Sequence, residues 1–347
     1  MPIGGNGRSD RNKGQCNAAQ QKAIAAAYFG SGAYRGESVN ASGIGINSLR
    51  IKSTIPRTAE NTIGHRFIQF GGLVQMAKSN PVPSAGHYDA NYENFQTELY
   101  AQIRSEAFGE DIGQNSWLTV DEHDRFLEWL DLSSEKDLLD VACGAGGPAL
   151  RIAAITKCSV VGIDVHEDAI ATAKALAATR KLAERAQFLA GDATAPLPFP
   201  DSNFDAITCI DAINHFPERL RTMMEWARLL KPGGRLLFTD PLTITGPLTN
   251  SEVAVRSLAG FYLFVPHGYD ERVMAQCGLS LLMCEDVTQN MARMADARHT
   301  ARELRRTALR EIEGEREYER QQEFLATAAR VAREGRLSRF VYVSKKA

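Results

Sequence analysis

The sequence predicts an α/β fold, a mostly parallel sheet with helices on both faces, and three observations carry that prediction. Apolar runs of strand length recur between Leu138 and Asp240, each closing on an acid: LLD, VVGID, FLAGD, ITCID and LLFTD, ending at Asp140, Asp164, Asp192, Asp211 and Asp240. Near-continuous apolar runs of this kind belong to strands buried on both faces, as parallel strands are. Segments of helical period separate them, the alternation that builds a parallel sheet. The first run is followed by CGAGGPAL, a turn dense in small residues that leads straight into a helix.

That turn organises the rest. A strand, a tight turn and a helix start present backbone N–H groups to a nucleotide-like ligand at a helix N-terminus. Gly144 and Gly146 are expected to take positive φ and to let the main chain approach the ligand without a Cβ. GAGGPA also satisfies the loose dinucleotide fingerprint, so the turn alone leaves a nicotinamide enzyme open. Roughly 20 residues on, Asp164 closes the second strand, where a carboxylate can accept from both ribose hydroxyls. Asp192 follows the third strand, and Asp211 and His215 lie at the mouth of the fourth.

In chain order, residues 1–85 are rich in Gly, Ser and Asn, with helical character only over Ala18–Phe29. Such composition buries too little apolar surface to offset its ordering entropy, so much of the segment is expected to be disordered. It holds ten Lys or Arg against three Asp or Glu, a net of +7, while the whole chain carries −2. Three readings stay open for it: an organelle transit segment, a solvated tail, or a start codon assigned too early. Pro81 and Pro83 mark the expected boundary.

Residues 86–347 form the second expected domain. Tyr92, Phe95, Leu99 and Ile103 make the stripe of an amphipathic helix. Thr119 and Glu122 have capping-box spacing ahead of a helix carrying Phe126, Leu127, Trp129 and Leu130, and Thr249 and Glu252 repeat that spacing. These N-terminal helices, 88–131, precede a core over 133–242. LSLLMCEDV and SRFVYVSKK read as the last two strands. The helical, charged stretch between them, 289–335, reads as solvated helix faces placed to roof a pocket, since ten Lys or Arg face nine Asp or Glu from Asp296 to Arg336.

Asp140, the glycines, Asp164, Asp192 and LKPGG, in that order, resemble the class I S-adenosylmethionine (SAM)-dependent methyltransferases, the group with the small-molecule, type 11-like core. The resemblance is close from Leu138 to Asp240 and looser from about Tyr88 to the C-terminus. It implies a Rossmann-like seven-stranded sheet with N- and C-terminal helical lid elements. It also implies a cofactor site on Asp140, Ala142, Gly144, Gly146, Asp164, Val165, Asp192, Ala193 and Asp211, with Gln114 from the segment before the first strand. The family often has Gly where Ala142 stands. An acid at the end of the first strand favours SAM over a nicotinamide, whose enzymes usually begin the turn with Gly.

The stretch DAINHF and the layout of the C-terminal half look more distantly like phosphoethanolamine and other small-amine N-methyltransferases. There the matching His pairs with a Tyr from the N-terminal helix, which makes His215 the catalytic candidate and Tyr92 and Tyr100 its candidate partners. A strand-mouth His is suited to removing a proton from an acceptor, and the alternative, a His hydrogen-bonded to structure, stays open. Pro241 stands where that subfamily has Tyr, and Ala259–Phe264 lacks a basic residue to clamp a phosphate. The expected reaction is therefore methyl transfer from SAM, leaving S-adenosylhomocysteine, to N, O or C of a small molecule that is not a phosphate ester. A nicotinamide-dependent oxidoreductase and a SAM-binding protein without turnover are the alternatives.

Composition excludes other classes. An apolar share of 44% with a net charge of −2 carries no nucleic-acid footprint, and no apolar run approaches the ~18 residues of a membrane span. The cysteines, at 16, 143, 158, 209, 277 and 284, form no CxxC pair and no Cys/His spacing that suggests zinc, so no metal is expected. Reduced thiols point to a cytoplasmic location. Oligomeric state is left open.

Overall fold

The structure, a computed structural model, describes Tyr92, residues 94–257 and residues 262–347. The expectations for residues 1–85, the stretch Ala18–Phe29, Cys16, and the boundary at Pro81 and Pro83 lie outside the described residues, as does 258–261 of the aromatic segment.

Two helices, α1 (Glu98–Phe108) and α2 (Val120–Leu130), precede β1 (Asp137–Val141). Then α3 (Gly147–Thr156), β2 (Ser159–Asp164), α4 (Glu167–Thr179), β3 (Ala186–Ala190) and β4 (Phe204–Cys209) alternate as the apolar runs foretell. A 3-10 turn (Ile213–His215) and α5 (Arg219–Leu229) lead to β5 (Leu230–Ile244). The C-terminal third holds α6 (Asn250–Arg256), β6 (Val265–Pro266), α7 (Tyr269–Gln276), β7 (Leu279–Asp286), α8 (Thr288–Glu303), α9 (Arg306–Glu313), α10 (Glu315–Arg333) and β8 (Leu337–Lys346).

The sheet runs β3-β2-β1-β4-β5-β8-β7. Strands β1 to β5 are parallel, β8 is antiparallel to both neighbours, and the two-residue β6 adds to the far end of β5. The strand order reverses between β1 and β4, where open α/β sheets leave a crevice for ligands. Side-chain alternation divides the core: Leu139, Val141 and Ile207 join Trp226, Phe238 and Tyr342 on one face, while Leu138, Val160, Phe188 and Leu237 pack with α3 and α4 on the other.

Three expectations change. The fifth strand starts at Leu230, so KPGG lies within it, and it runs past Asp240 and Pro241 to Ile244. Lys231 secures its start by pairing with Asp205 at 2.6 Å and Asp137 at 3.3 Å under the neighbouring strands. The Thr119 cap is half a capping box: Thr119 Oγ1 accepts from Glu122 N, but the Glu122 carboxylate is taken by Arg339 instead. The charged C-terminal helices are not all solvated faces, since Arg302 is buried against Glu313 at 2.7 Å and Tyr318 is buried beside it. Thr249 and Glu252 do form the full reciprocal box. No helix among the described residues is long and apolar enough to cross a membrane.

Candidate active site

A cleft opens at the carboxyl ends of β1, β2 and β4, and of the predicted residues it brings together Tyr92, Asp140, Ala142, Gly144, Asp164, Val165, Asp192, Ala193, Asp211 and His215. Asp140 sits at its floor, 5% exposed, and accepts from Thr208 Oγ1 at 2.7 Å. Burial, partly offset by that hydroxyl and reinforced by Asp164, pushes its carboxyl up to about 7. Asp164 is equally enclosed. Its Oδ2 accepts from Gly144 N at 2.8 Å, and its Oδ1 from His166 N at 3.0 Å, with the His166 ring Nδ1 2.9 Å away. The expected two-handed grip on ribose therefore meets a competitor at Oδ1, the imidazole of His166, which the sequence reading did not single out. At the rim, Asp192 Oδ1 accepts from both Thr194 N and Thr194 Oγ1, which fixes its carboxylate.

The glycines take the predicted positive φ, +54° at Gly144 and +75° at Gly146, yet they make room for protein. A Cβ at Gly144 would lie 2.7 Å from the Tyr92 hydroxyl, and one at Gly146 would lie 2.8 Å from both Phe188 and Ala173. Gly146 thus closes α3 onto the core and does not line the cleft. The unpredicted Gly147 is the tighter point, because a Cβ there would meet the Ile112 carbonyl oxygen at 2.1 Å. That closeness seats the 112–116 segment over the helix start, and Gly113, Asn115 and Ser116 form a wall of the cleft.

Gln114 points elsewhere. Its side chain is buried, accepting from Ile112 N at 2.9 Å and donating to the Glu110 carbonyl at 3.3 Å, and it borders a separate small pocket beside Arg298 and Arg302. Tyr100 lines that same pocket and donates to Glu313, so it is not at the cleft. Tyr92 does line the cleft, but on the side of the β1–α3 turn: its hydroxyl pairs with Asn115 and its ring lies 5.4 Å from that of His166. Burial, with Asp164 beside it, raises its phenol well above the ordinary range, so it stays neutral.

On the opposite side, His215 ends the 3-10 turn, and the aromatic ring beside it is that of Tyr262, with centroids 4.6 Å apart. Leu263 N donates to the Asn214 carbonyl at 2.8 Å and so fixes that approach. From below, the fully buried Arg219 donates to the Ile213 carbonyl and to Asp240 and Asp270, at 3.2, 2.6 and 2.8 Å. Asp211 faces the cleft with a carboxylate already occupied: Oδ1 accepts from Thr239 Oγ1 at 2.7 Å and Arg339 Nε at 2.6 Å, and Oδ2 from Trp117 N at 2.8 Å. Residues 289–335 contribute nothing to the cleft wall; α8 acts through the Asn290 amide, which donates to the Trp117 carbonyl at 3.0 Å.

Residues 139–238 match the family model of a methyltransferase domain. The chain is 30% identical over 226 residues to 27-O-demethylrifamycin SV methyltransferase of Amycolatopsis mediterranei, covering 62% of this chain and 79% of that one. It is 33% identical over 147 residues to sterol 24-C-methyltransferase ERG6B of Gibberella zeae, of whose length it spans 38%. In fold it is similar to the cyclopropane synthase MmaA2 of Mycobacterium tuberculosis, with a TM-score of 0.65 at 21% identity over 77% of this chain and all of that one. An α/β enzyme whose ligand cleft lies at the switch of strand order is the class that fold and cleft define. Within it, the chain belongs to the class I SAM-dependent methyltransferases, which sets aside the nicotinamide reading.

Proposed function

We propose that this methyltransferase holds SAM along the ends of β1, β2 and β3 and methylates a small molecule with an apolar body that lies against His215. One observation carries the reading: Asp140, Asp164, Asp192 and Asp211 line the cleft, and among the described residues no Lys or Arg does. An acid-lined crevice of low dielectric favours a cation and repels an anion. A sulfonium cofactor with an ammonium group suits it, while a dinucleotide pyrophosphate or a phosphate-ester acceptor does not.

In this reading Asp140 faces the ammonium group, Asp164 takes a ribose hydroxyl through Oδ2, and the rim at Asp192 and Ala193 borders the base. Bound there, SAM supplies a methyl group on sulfur for in-line displacement. The chain contributes position and dryness: Ile210 and Phe216 give the acceptor side an apolar wall, and Tyr262 braces His215. His215 takes the proton that an O–H or N–H acceptor must lose. No metal is needed for this step. Two relatives, whose names place an O acceptor on a rifamycin and a C acceptor on a sterol, support a small-molecule acceptor.

S-adenosylhomocysteine should raise the melting temperature while NADP does not, because a ligand stabilises the state it binds. Asp164→Ala should weaken its binding by about 1–3 kcal/mol in calorimetry. A shift with NADP alone would overturn the cofactor assignment, and unchanged affinity in Asp164→Ala would remove Asp164 from it.

A further inference from the structure

Away from the cleft, three side chains of metal-binding type converge from three elements. His267 follows β6, Glu271 lies in the first turn of α7, and Cys284 lies in β7. Their ligand atoms all lie within 4.8 Å of one another. Cys284 Sγ is 3.9 Å from Glu271 Oε1, and the His267 ring rests against Phe340 with centroids 4.8 Å apart. None of the three lines the cleft. We propose that His267, Glu271 and Cys284 bind a zinc ion that clips the β6–α7 turn to the edge strand β7.

The chemistry of the donors selects the ion. A thiolate and an imidazole suit a late, thiophilic divalent metal and exclude magnesium or calcium as the preferred guest, and a carboxylate completes a set of three common in zinc sites. Zinc–ligand bonds of about 2.0–2.3 Å put tetrahedral donors roughly 3.3–3.8 Å apart. The thiol–carboxylate pair nearly meets that spacing, and the widest pair has at most about 1.5 Å to close, a side-chain rotation. The fourth position is left for water.

Charge on this side of the sheet points the same way. Glu271 Oε2 is buried with no hydrogen-bond partner, as is Oδ2 of the adjacent Asp270. A buried carboxylate oxygen without a partner is costly, and a divalent ion supplies the missing charge. Binding displaces the Cys284 thiol proton and changes no oxidation state. The clip also braces the cleft at a distance: His267 N donates to the Ile244 carbonyl at 3.4 Å, and the segment leading to it carries Tyr262, which packs on His215.

The test uses the full-length chain stripped of metal by chelation and titrated with cobalt(II), then with zinc. Wild type should develop a sulfur-to-cobalt charge-transfer band saturating at one equivalent, which zinc abolishes. Cys284→Ser should lack the band, while Cys277→Ser, which removes a half-buried thiol outside the trio, should keep it. His267→Gln and Glu271→Gln should weaken zinc binding by about 100-fold or more, since even an outer-shell partner is worth 10–100-fold. Zinc should raise the melting temperature of wild type and leave that of His267→Gln unmoved. A wild type with no charge-transfer band would overturn the proposal and leave only a thiol–carboxylate hydrogen bond. So would a band that survives undiminished in Cys284→Ser, or, should that variant not fold, wild-type cobalt affinity in His267→Gln.

Discussion

On the cofactor side, one strand–helix–strand unit between Asp140 and His166 supplies two of the acids, the turn and the imidazole from neighbouring sequence, with Asp192 and Tyr92 joining from outside it. Across the cleft, Asp211 and His215 share one short turn, but the groups that hold them are distant in sequence. Asp211 is held by Arg339 and by the backbone of Trp117, and His215 is faced by Tyr262. The first side depends on backbone geometry that a short motif encodes. The second depends on buried side chains from both ends of the domain, so the two should fail in different ways when mutated.

The largest effect is expected at His215. His215→Ala should lower turnover by roughly 10²–10⁴-fold with SAM affinity nearly unchanged, the signature of a lost proton acceptor on the acceptor side alone. A screen of phenols, amines and hydroxylated quinones supplies the acceptor for the assay. Near-wild-type turnover with a well-used acceptor would assign His215 to structure, held by its Tyr262 contact.

Next is Arg339, fully buried between Glu122 and Asp211 at 2.7 and 2.6 Å. Removing one member of a buried ion network leaves uncompensated charge, costing about 3–5 kcal/mol. Arg339→Met should lower unfolding stability by that order, and Glu122→Gln in the same chain should recover part of it. Burial already pushes the Glu122 carboxyl up against the pull of Arg339. A loss under about 1 kcal/mol in urea unfolding would mean that the network is bypassed by water.

These two sites show what the sequence could tell. The succession of strands along the chain, the strand-end positions of Asp140 and Asp164, and the turn were readable because an apolar run of strand length closing on an acid is a local signal. Gly146 was read as a ligand contact, because no local pattern says that Phe188 and Ala173 fill the space beside it. Glu122 was read as a cap, since the spacing to Thr119 is local and Arg339 lies 217 residues away. Tyr92 and Tyr100 were paired with His215 by analogy, whereas the ring that reaches His215 is Tyr262, brought in by one backbone hydrogen bond at Asn214. His267, Glu271 and Cys284 escaped notice because their spacing matches no zinc motif and only the packing of α7 on the sheet unites them.

A smaller effect tests the cofactor side alone. With its pKa near 7 in the folded chain, above the ordinary ~3.9, Asp140 keeps its proton through the range where the unfolded chain has lost it. Its contribution to stability is therefore present at low pH and is lost as pH rises through about 7. An ammonium group prefers the ionised carboxylate, so SAM affinity should rise roughly tenfold between pH 6 and pH 8, following the ionised fraction. Calorimetry across that range should show the rise in wild type and a flat, weaker profile in Asp140→Asn. A flat wild-type profile would separate Asp140 from the ammonium group.

The smallest effect belongs to Ala142, which takes φ +56° in the turn where the family often has glycine. An L-residue in the left-handed region costs about 1–2 kcal/mol, which Ala142→Gly should relieve. Two terms oppose the gain. The Ala142 methyl packs against the apolar cluster around Leu139 and Ile207, worth up to about 0.8 kcal/mol, and glycine adds about 0.4–1 kcal/mol of unfolded-chain entropy. The terms nearly cancel, so Ala142→Gly should change stability by less than about 1 kcal/mol, a melting shift of about 2–4 °C at most. SAM affinity should change by less than about threefold, since that much free energy at the site is already ~0.6 kcal/mol. A loss beyond about 2 kcal/mol would show that the methyl carries packing well above its area, and that this side of the cleft, too, depends on side chains and not on backbone alone.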